Sequence, residues 1–595
     1  MDRFLEALEQ FWNGFLSGIA DLPAIITGFY SQFDEGRAVF TLVTRWLLPI
    51  LAIIIFIRCI LPLIQYRDQN KTWGYLCSKD GTRMPLRHWE NSIGRSKLSD
   101  IVINLSFVSR CHAVLTFCEG VWSIADLGSK GGVEVNGKKI EKQERVEAGD
   151  TISFAGAEMK LLPADGETAS AGLEGPEKKM PLAPKINSGM TLLLILVFQI
   201  LGGIQLSFSM GDQLNRAVPV TFLLFLIVEC VYYLIMRIFS RRYFELELLC
   251  YFLCGMDLLI VASAAPSSLL KQFAAILAGM LAYTLLWILL RDLALARKLK
   301  YMMVSVALVL LVLNLVIGET RFGAKNWINL GFVTFQPLEF VKVAFVMAGA
   351  ATLDKLLTAR NLTAFIAFSG SCIGALILMR DFGTAVIFFG TFLIIAFMRS
   401  GDVRTIAFIS AGAVLGAIAV VSFMPYVASR FEAWGHVWEY ADTSGYQQTR
   451  TMIAAASGGL LGTGGGNGYL INIAAADTDL VFGVICEEWG LLIAITVVLI
   501  EAFFAAFSAL LTKSCRSSFY AIAACGAASI FLIQTTLNVF GSVDILPLTG
   551  VTLPFVSNGG TSMVASWGLL AFIKAADERL RPAKLVGSTG KGRGI

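Results

Sequence analysis

The chain has 595 residues, 56% apolar and only 15% charged, with a net charge of +4 and a mean hydropathy of +0.68. Ordinary soluble domains are about 45–50% apolar and about 25% charged, so a soluble enzyme and a disordered chain are both excluded. Many membrane helices are expected instead, each needing about 20 apolar residues to cross about 30 Å of hydrocarbon. No nucleic-acid partner is expected.

Residues 1–36 lack the apolar run and small-residue cleavage site of a signal peptide. Phe4, Leu5, Leu8, Phe11, Trp12, Phe15, Leu16 and Ile19 recur at helical spacing. They fit an amphipathic helix, lying in the membrane interface or packed on the protein itself. The first spanning segment is Trp46 to about Ile64, closing a unit at 1–66. Its Arg58 can snorkel towards Arg67 and Lys71. From 70 to 163 the pattern changes to short β-rich runs separated by turn residues, which predicts a β-sandwich. Residues 164–187 are rich in Ala, Gly, Pro and charge and predict a flexible linker.

Apolar segments dominate from Met190: about 190–208, 218–237, 245–264, 270–290, 301–318, 338–354, 362–379, 383–398, 404–424, 481–511, 517–540 and 560–576. Two helices over 188–240 thus precede a membrane core at 244–578, followed by a basic tail at 579–595. The fold class is a polytopic α-helical membrane protein with an inserted all-β domain. Basic residues gather in alternate loops: Arg237/Arg241/Arg242, Arg291/Arg297/Lys298/Lys300, Lys355/Arg360, Arg399/Arg404 and Lys513/Arg516. The positive-inside rule puts these loops, the sandwich and the tail in the cytoplasm. The N-terminus and the long loop at 425–480 then lie outside. The eleven cysteines show no metal-like spacing with histidine and no disulfide framework. Cys250 and Cys254 read as helix packing.

The sandwich segment carries Gly94-Arg95, Ser109-Arg110-Cys111-His112-Ala113, Asp126-Leu127-Gly128-Ser129 and Asn136-Gly137 in that order. This run resembles a forkhead-associated (FHA) domain. The resemblance implies phosphothreonine binding, with Arg95, Ser109 and Arg110 on the phosphate, Asn136 on the peptide backbone and His112 bracing the loop. An Arg fork with a hydroxyl suits a dianionic phosphate. Where the family usually has Asn after the DLGS serine, this chain has Lys130.

Charges inside spanning segments cost about 2.5–3.5 kcal/mol each even on lenient scales, so they mark candidate sites. Glu339 and Lys342 share a helix face behind Pro337. Asp381 precedes a helix start. Asp477 and Asp479 stand where the outer loop meets the 481–511 segment, and Glu487 and Glu488 follow. On the topology above, Glu339, Lys342, Asp381 and Asp479 converge on the outer face. The loop "GYQQTRTMIAAASGGLLGTGGGNGY" (445–469) is glycine-dense. It has no strand before it and is no nucleotide fingerprint. Its glycines permit close backbone approach to a ligand or a helix.

Four stretches, "GAKNWINLGFVTFQPLEFVK" (323–342), "RDFGTA" (380–385), 445–490 with "DTDLVFGVICEEWG", and "NVFGSVDILPLTGVTLPFVSNGGTS" (538–562), resemble the SEDS family of RodA/FtsW-type proteins. That resemblance implies a ten-helix core over about 245–577. The implied activity is an inverting peptidoglycan glycosyltransferase that polymerises lipid II for elongation, division or sporulation beside a class B penicillin-binding protein. Carried over by motif, Asp479, Glu339 and Lys342 are the catalytic candidates. Lys325, Trp327, Gln336, Asp381, Gln447, Gly458, Gly459, Ser557, Gly559 and Gly560 are the substrate-contacting ones. The family's "RRWI" arginine is Asn326 here, with Lys325 beside it.

In physical terms, Asp479 is the expected general base for the acceptor hydroxyl. Lys342, Lys325 or a divalent cation (Mg or Mn) is the expected charge partner of the leaving pyrophosphate. Glu339 would orient Lys342 or help hold such a metal. The phosphothreonine partner would be a protein modified by a Ser/Thr kinase. The competing readings are a lipid II flippase or transporter, and a non-catalytic scaffold.

Overall fold

The computed structural model describes residues 34–65, 72–163 and 186–577, apart from 87–89, 97–98, 111, 119–120, 141–142, 212–214, 216, 239–242, 291–292, 322–323, 330, 332–333, 354–358, 401–402, 424 and 513–517. The amphipathic reading of 1–33, nearly all of the expected linker and the basic tail lie outside the described residues.

Helix α1 (Asp34–Gln65) contains the first predicted span. Eleven strands follow: β1 (Gly74–Ser78), β2 (Arg83–Leu86), β3 (Glu90–Gly94), β4 (Ile101–Val102), β5 (Ala113–Cys118), β6 (Val121–Asp126), β7 (Val133–Val135), β8 (Lys138–Lys139), β9 (Gln143–Val146), β10 (Thr151–Phe154) and β11 (Ala157–Pro163). They form two sheets, ordered β2-β1-β11-β10-β7-β8 and β4-β3-β5-β6-β9. Period-2 alternation sets the inner faces. Leu115, Trp122, Ile124, Ile152, Phe154 and Leu161 point into a core distinct from that of the membrane helices. Asn136 and Gly137 sit at φ +51° and +78°, the positive-φ pair that a two-residue β7–β8 hairpin requires.

The predicted apolar segments are all helical. They are α2 (Ser188–Met210), α3 (Ala217–Ile238), α4 (Glu245–Ala264), α5 (Leu269–Leu290), α6 (Leu293–Ile317), α7 (Pro337–Leu353), α8 (Ala359–Leu378), α9 (Phe382–Ser400), α10 (Val403–Phe423), α14 (Leu491–Leu511), α15 (Ser518–Ser542) and α16 (Gly560–Ala576). Shorter helices α11 (Pro425–Ala433), α12 (Tyr446–Gly458) and α13 (Val481–Val484) build the long loop and the approach to α14. Among the described residues seven helices are long and apolar enough to cross a membrane, and α4 is buried throughout. Gly279 leaves room on α5 for Trp567 of α16, since a Cβ there would stand 2.5 Å from the indole Cδ1.

One expected span is not continuous. Residues Ile485–Trp489 form a π-helix, and Gly490 at φ +89° breaks the chain before α14. A π-turn shifts the carbonyl ladder, and such turns cluster at functional sites.

Other buried charges were not singled out from sequence. Lys574 donates to Glu247 Oε2 and to the Tyr243 carbonyl, both at 2.7 Å, and the Tyr283 hydroxyl donates to Glu247 Oε1 at 2.6 Å. This network ties α4, α5 and α16 together with its polar groups bonded, as burial demands. Arg58 of α1 donates to Thr191 Oγ1 at 3.1 Å and to the Asn187 carbonyl at 3.2 Å, at the start of α2. It is thus shared between the two helices that flank the sandwich.

Candidate active site

The stretch 475–480 is a tight turn in which Ala475, at φ +64°, offers one carbonyl to the N–H groups of Thr478, Asp479 and Leu480. Its neighbours fix it from outside. Ser557 Oγ donates to the Thr478 carbonyl at 2.6 Å. Asn558 Nδ2 donates to Asp477 Oδ2 at 2.6 Å, and Asn558 N–H to the Asp477 carbonyl at 2.9 Å. Asn538 of α15 donates to the Asp479 carbonyl at 3.0 Å and to the Val551 carbonyl at 2.7 Å. The backbone of Asp479 is therefore held on both sides while its carboxylate makes none of these bonds. That carboxylate lies against Gly550, whose φ is +67°; a Cβ there would stand 3.2 Å from Asp479 Oδ2.

Burial pushes the Asp479 carboxyl up to about 6, with Asp477 and Asp381 raising it further and the Arg430 guanidinium pulling it down. Arg430 is held on the same rim by a 2.8 Å bond to the Leu548 carbonyl. It comes from α11, which docks on the 544–548 loop through Trp434 and Gly435. A second carboxylate lies beneath: the fully buried Asp257 accepts from Gln272 at 2.8 Å, and Gln272 also donates to the Ser557 carbonyl at 3.3 Å. Sequence reasoning missed both Arg430 and Asp257. Nothing in the local pattern marks either, because long loops and apolar runs separate them from 475–480.

The other expected residues divide by place. Asp381 caps α9, accepting from Thr384 N–H at 3.0 Å, and takes a 2.9 Å bond from Asn326. It is close enough to Asp479 to raise its pKa. Lys325 donates to the Leu315 carbonyl at 2.7 Å, a cation on the last turn of α6, where the helix dipole favours it. Asn326, not Lys325, is what meets Asp381. Glu339 and Lys342 form a buried pair at 2.7 Å on α7. Trp327 lies half-buried on β12 (Ala324–Asn329), and Gln336 supplies the carbonyl that Glu339 N–H meets at 3.3 Å. Gln447 donates to the Ala474 carbonyl at 2.9 Å. Gly559 and Gly560 open α16.

The glycine-dense loop packs mostly on protein. A Cβ on Gly458 would collide with the Cys486 carbonyl, and one on Gly462 with that of Glu488, while Gly459 faces open space. The Glu487 carboxylate accepts from Tyr469 and Leu470 N–H, both at 2.9 Å, and Glu488 from Ser263 at 2.6 Å. Gly464 and Gly466 lie against Thr41 of α1 and Gln205 and Leu206 of α2. Among the described residues, no three His, Cys, Asp or Glu side chains are grouped to hold a metal ion.

In the sandwich, Ser109 N–H donates to His112 Nδ1 at 3.1 Å. The ring proton is thus on Nε2, which donates to the Gly132 carbonyl at 2.9 Å. The buried His112 therefore joins the Ser109 and Gly132 loops. Arg95 Nη1 donates to the Ser106 carbonyl at 3.3 Å, and Arg110 is exposed beside it in sequence order with Ser109. Asn136 is engaged at its turn, donating to Asp150 at 2.9 Å and accepting from Thr151 N–H at 3.0 Å. The bonds from Asn136 and Glu147 N–H hold the Asp150 carboxyl below its ordinary value.

Fold and sites together define a polytopic helical membrane protein with an inserted FHA domain. The family model of FtsW/RodA/SpoVE cell cycle proteins matches residues 242–581, more than half of the chain, and the FHA domain model matches 91–155. The chain belongs to the FtsW/RodA/SpoVE family. It is 27% identical over 380 residues to a probable peptidoglycan glycosyltransferase FtsW of Bacillus subtilis, covering 56% of this chain and 91% of that one. It is 28% identical to the peptidoglycan glycosyltransferase RodA of Mycobacterium leprae, covering 52% and 69%. The solved rod shape determining protein RodA of Thermus thermophilus is similar at 25% identity, covering 57% and 98%, with a TM-score of 0.42. Helices α1 to α3 lie outside the matched region, yet α1 and α2 touch the glycine-dense loop of the core.

Proposed function

We propose that this chain polymerises lipid II into glycan strands from the outer leaflet, with Asp479 as general base and the FHA domain binding a phosphothreonine protein. The observation that carries this is Asp479: a carboxyl lifted to about 6 by burial, its main chain locked and Arg430 on its rim. In the reaction, the acceptor sugar hydroxyl attacks the anomeric carbon of the donor and gives its proton to the Asp479 carboxylate. The bond from that carbon to the lipid pyrophosphate breaks on the opposite side, with inversion. The pyrophosphate carries away the electron pair, and a nearby guanidinium stabilises that charge. Arg430 is the proposed cation, because its charge acts directly on Asp479.

The proposed orientation places loop 425–480 outside and the sandwich within the cytoplasm, following the basic loops. The meeting of Arg58 with the start of α2 supports it by putting both junctions of the sandwich on one side. A class B penicillin-binding protein is the proposed partner for crosslinking.

Asp479 must be ionised to accept a proton, so polymerisation should fall as pH drops through about 6. Arg430→Ala removes a lowering charge and should move this acid limb upward. Asp477→Asn removes a raising charge and should move it downward. The check is a pH–rate profile on purified protein with lipid II; an acid limb unmoved by both changes would separate the limb from Asp479.

The phosphothreonine reading is tested on fragment 70–165, whose core is its own. Saturable binding to a phosphothreonine peptide library is expected, with loss of about tenfold or more in Arg95→Ala, in keeping with charge-assisted bonds of about 1.5–3 kcal/mol. Binding that ignores the phosphate would refute it.

A further inference from the structure

Helices α1 and α2 lie outside the family core, yet both bear on the loop that leads to Asp479. Glycines knit α2 closely to α4. A Cβ on Gly202 of α2 would stand 2.9 Å from Leu259 Cδ1, and one on Gly255 of α4 would stand 2.8 Å from Gln199 Nε2. Arg58 ties α1 to the start of α2. Towards the other end of the pair, Phe40 meets Phe208 edge-on at 5.1 Å. With 23 residues at about 1.5 Å each, α2 is one unbroken element from the sandwich junction to the glycine-dense loop.

Three consecutive glycines show how that loop is held. Gly464 and Gly466, at φ +104° and +78°, turn the space of their missing side chains towards α1 and α2. A Cβ on Gly464 would stand 3.0 Å from Gln205 Nε2 and 3.4 Å from Thr41 Cγ2. One on Gly466 would stand 3.1 Å from Leu206 Cδ1. Gly465 turns the other way, where a Cβ would stand 2.5 Å from Trp489 Cζ2 of the π-helix. The loop is therefore a single backbone layer between α2 and the π-helix, a closeness that glycine allows. Its inner side is bonded to that helix. Thr463 and Gly464 N–H donate to the Glu487 and Glu488 carbonyls at 2.8 and 2.9 Å, and Tyr469 and Leu470 N–H to the Glu487 carboxylate. The turn that carries Asp479 follows directly.

Gln205 is the polar group on the outer side of this layer. It is an amide in an apolar spanning helix, 2% exposed, and its Oε1 has no hydrogen-bond partner among the described residues. An unpaired buried amide oxygen is costly to keep, which argues for a role beyond holding α2 in place.

We propose that α1 and α2 position the catalytic turn by holding the glycine-dense loop against the π-helix, with Gln205 and Leu206 as positioning residues. The inference rests on the reading of Asp479 as general base. The active site of this chain is then completed by helices from outside the family core.

The test uses the purified full chain with lipid II. Gln205→Ala/Leu206→Ala is compared with Ile200→Ala/Ile204→Ala, whose side chains are exposed on another side of α2. The first pair should lower kcat by about 10- to 100-fold, the scale of loss that misplacement of about 1 Å brings, and leave KM within about threefold. Hydrogen exchange at the Gly464, Tyr469 and Leu470 amides should rise, with α4 and α16 unchanged. Loosening admits water to Asp479, whose carboxyl burial lifts to about 6, so the acid limb of the pH–rate profile should move downward. The exposed pair should alter none of these. Unchanged kcat and loop exchange in the first pair would overturn the proposal. A loss of kcat that only tracks a global fall in Tm, or that is equal in both pairs, would assign Gln205 and Leu206 to ordinary packing and also overturn it. Failure of the unaltered chain to polymerise would instead overturn the reading beneath it.

Discussion

Asp479→Asn should lower lipid II polymerisation by about 10²–10⁴-fold, the range over which a positioned general base contributes, while the protein folds and inserts as before. The structure explains why the loss should be confined to chemistry. The groups that pin the turn, from Ser557, Asn538 and Asn558, bond to main-chain atoms of 477–479 or to Asp477. None depends on the Asp479 carboxylate. Its neighbours are Gly550, which offers no side chain, the side chain of Thr478, and the charges of Arg430, Asp477 and Asp381. An amide of the same shape therefore fills the same space but cannot take a proton. Residual polymerisation within tenfold of the unaltered chain, measured on purified protein of equal thermal stability, would remove Asp479 from that role.

The second large effect concerns Glu339 and Lys342. Sequence resemblance placed them in the catalytic set, but they are buried and bonded to each other at 2.7 Å on one turn of α7. Removing one partner of a buried ion pair leaves an uncompensated charge and costs about 3–5 kcal/mol. Lys342→Met should therefore lower the apparent Tm sharply in detergent. The double change Glu339→Gln/Lys342→Met should restore much of that loss, since exchanging a buried pair for neutral groups is often close to neutral. Polymerisation by the double variant then separates the two roles. Recovery of activity with stability makes the pair a structural clamp, whereas a stable, inactive double variant returns it to the chemistry.

These cases show what the sequence made legible. The sandwich was readable because period-2 alternation and the Asn136-Gly137 hairpin are local signals. The helices were readable because apolar length is local too. Asp479 and Asp381 stood out as acids at helix approaches, and both lie at the same site. What sequence could not show was how groups are shared across the fold. Lys325 reads as a possible charge partner of the pyrophosphate but is bonded at the end of α6. Gly458 reads as a ligand-approach glycine, yet the space of its missing side chain holds the Cys486 carbonyl. The 481–511 run reads as one helix because nothing in its hydropathy reveals the π-turn at Glu487 and Glu488. Arg430 is an ordinary cation in a loop until α11 docks on 544–548. The buried Glu247–Lys574 pair was hidden for the same reason: its two members lie on the first and last helices of the core.

The central claim is polymerisation, and one measurement meets it most directly. The purified full chain, reconstituted with a class B penicillin-binding protein whose crosslinking is blocked, is given labelled lipid II, and the products are separated by length. Glycan strands that grow with time and disappear in Asp479→Asn are the predicted result. Lipid II moved between leaflets but never joined, in a preparation competent to bind it, would contradict the account and place this chain among transporters.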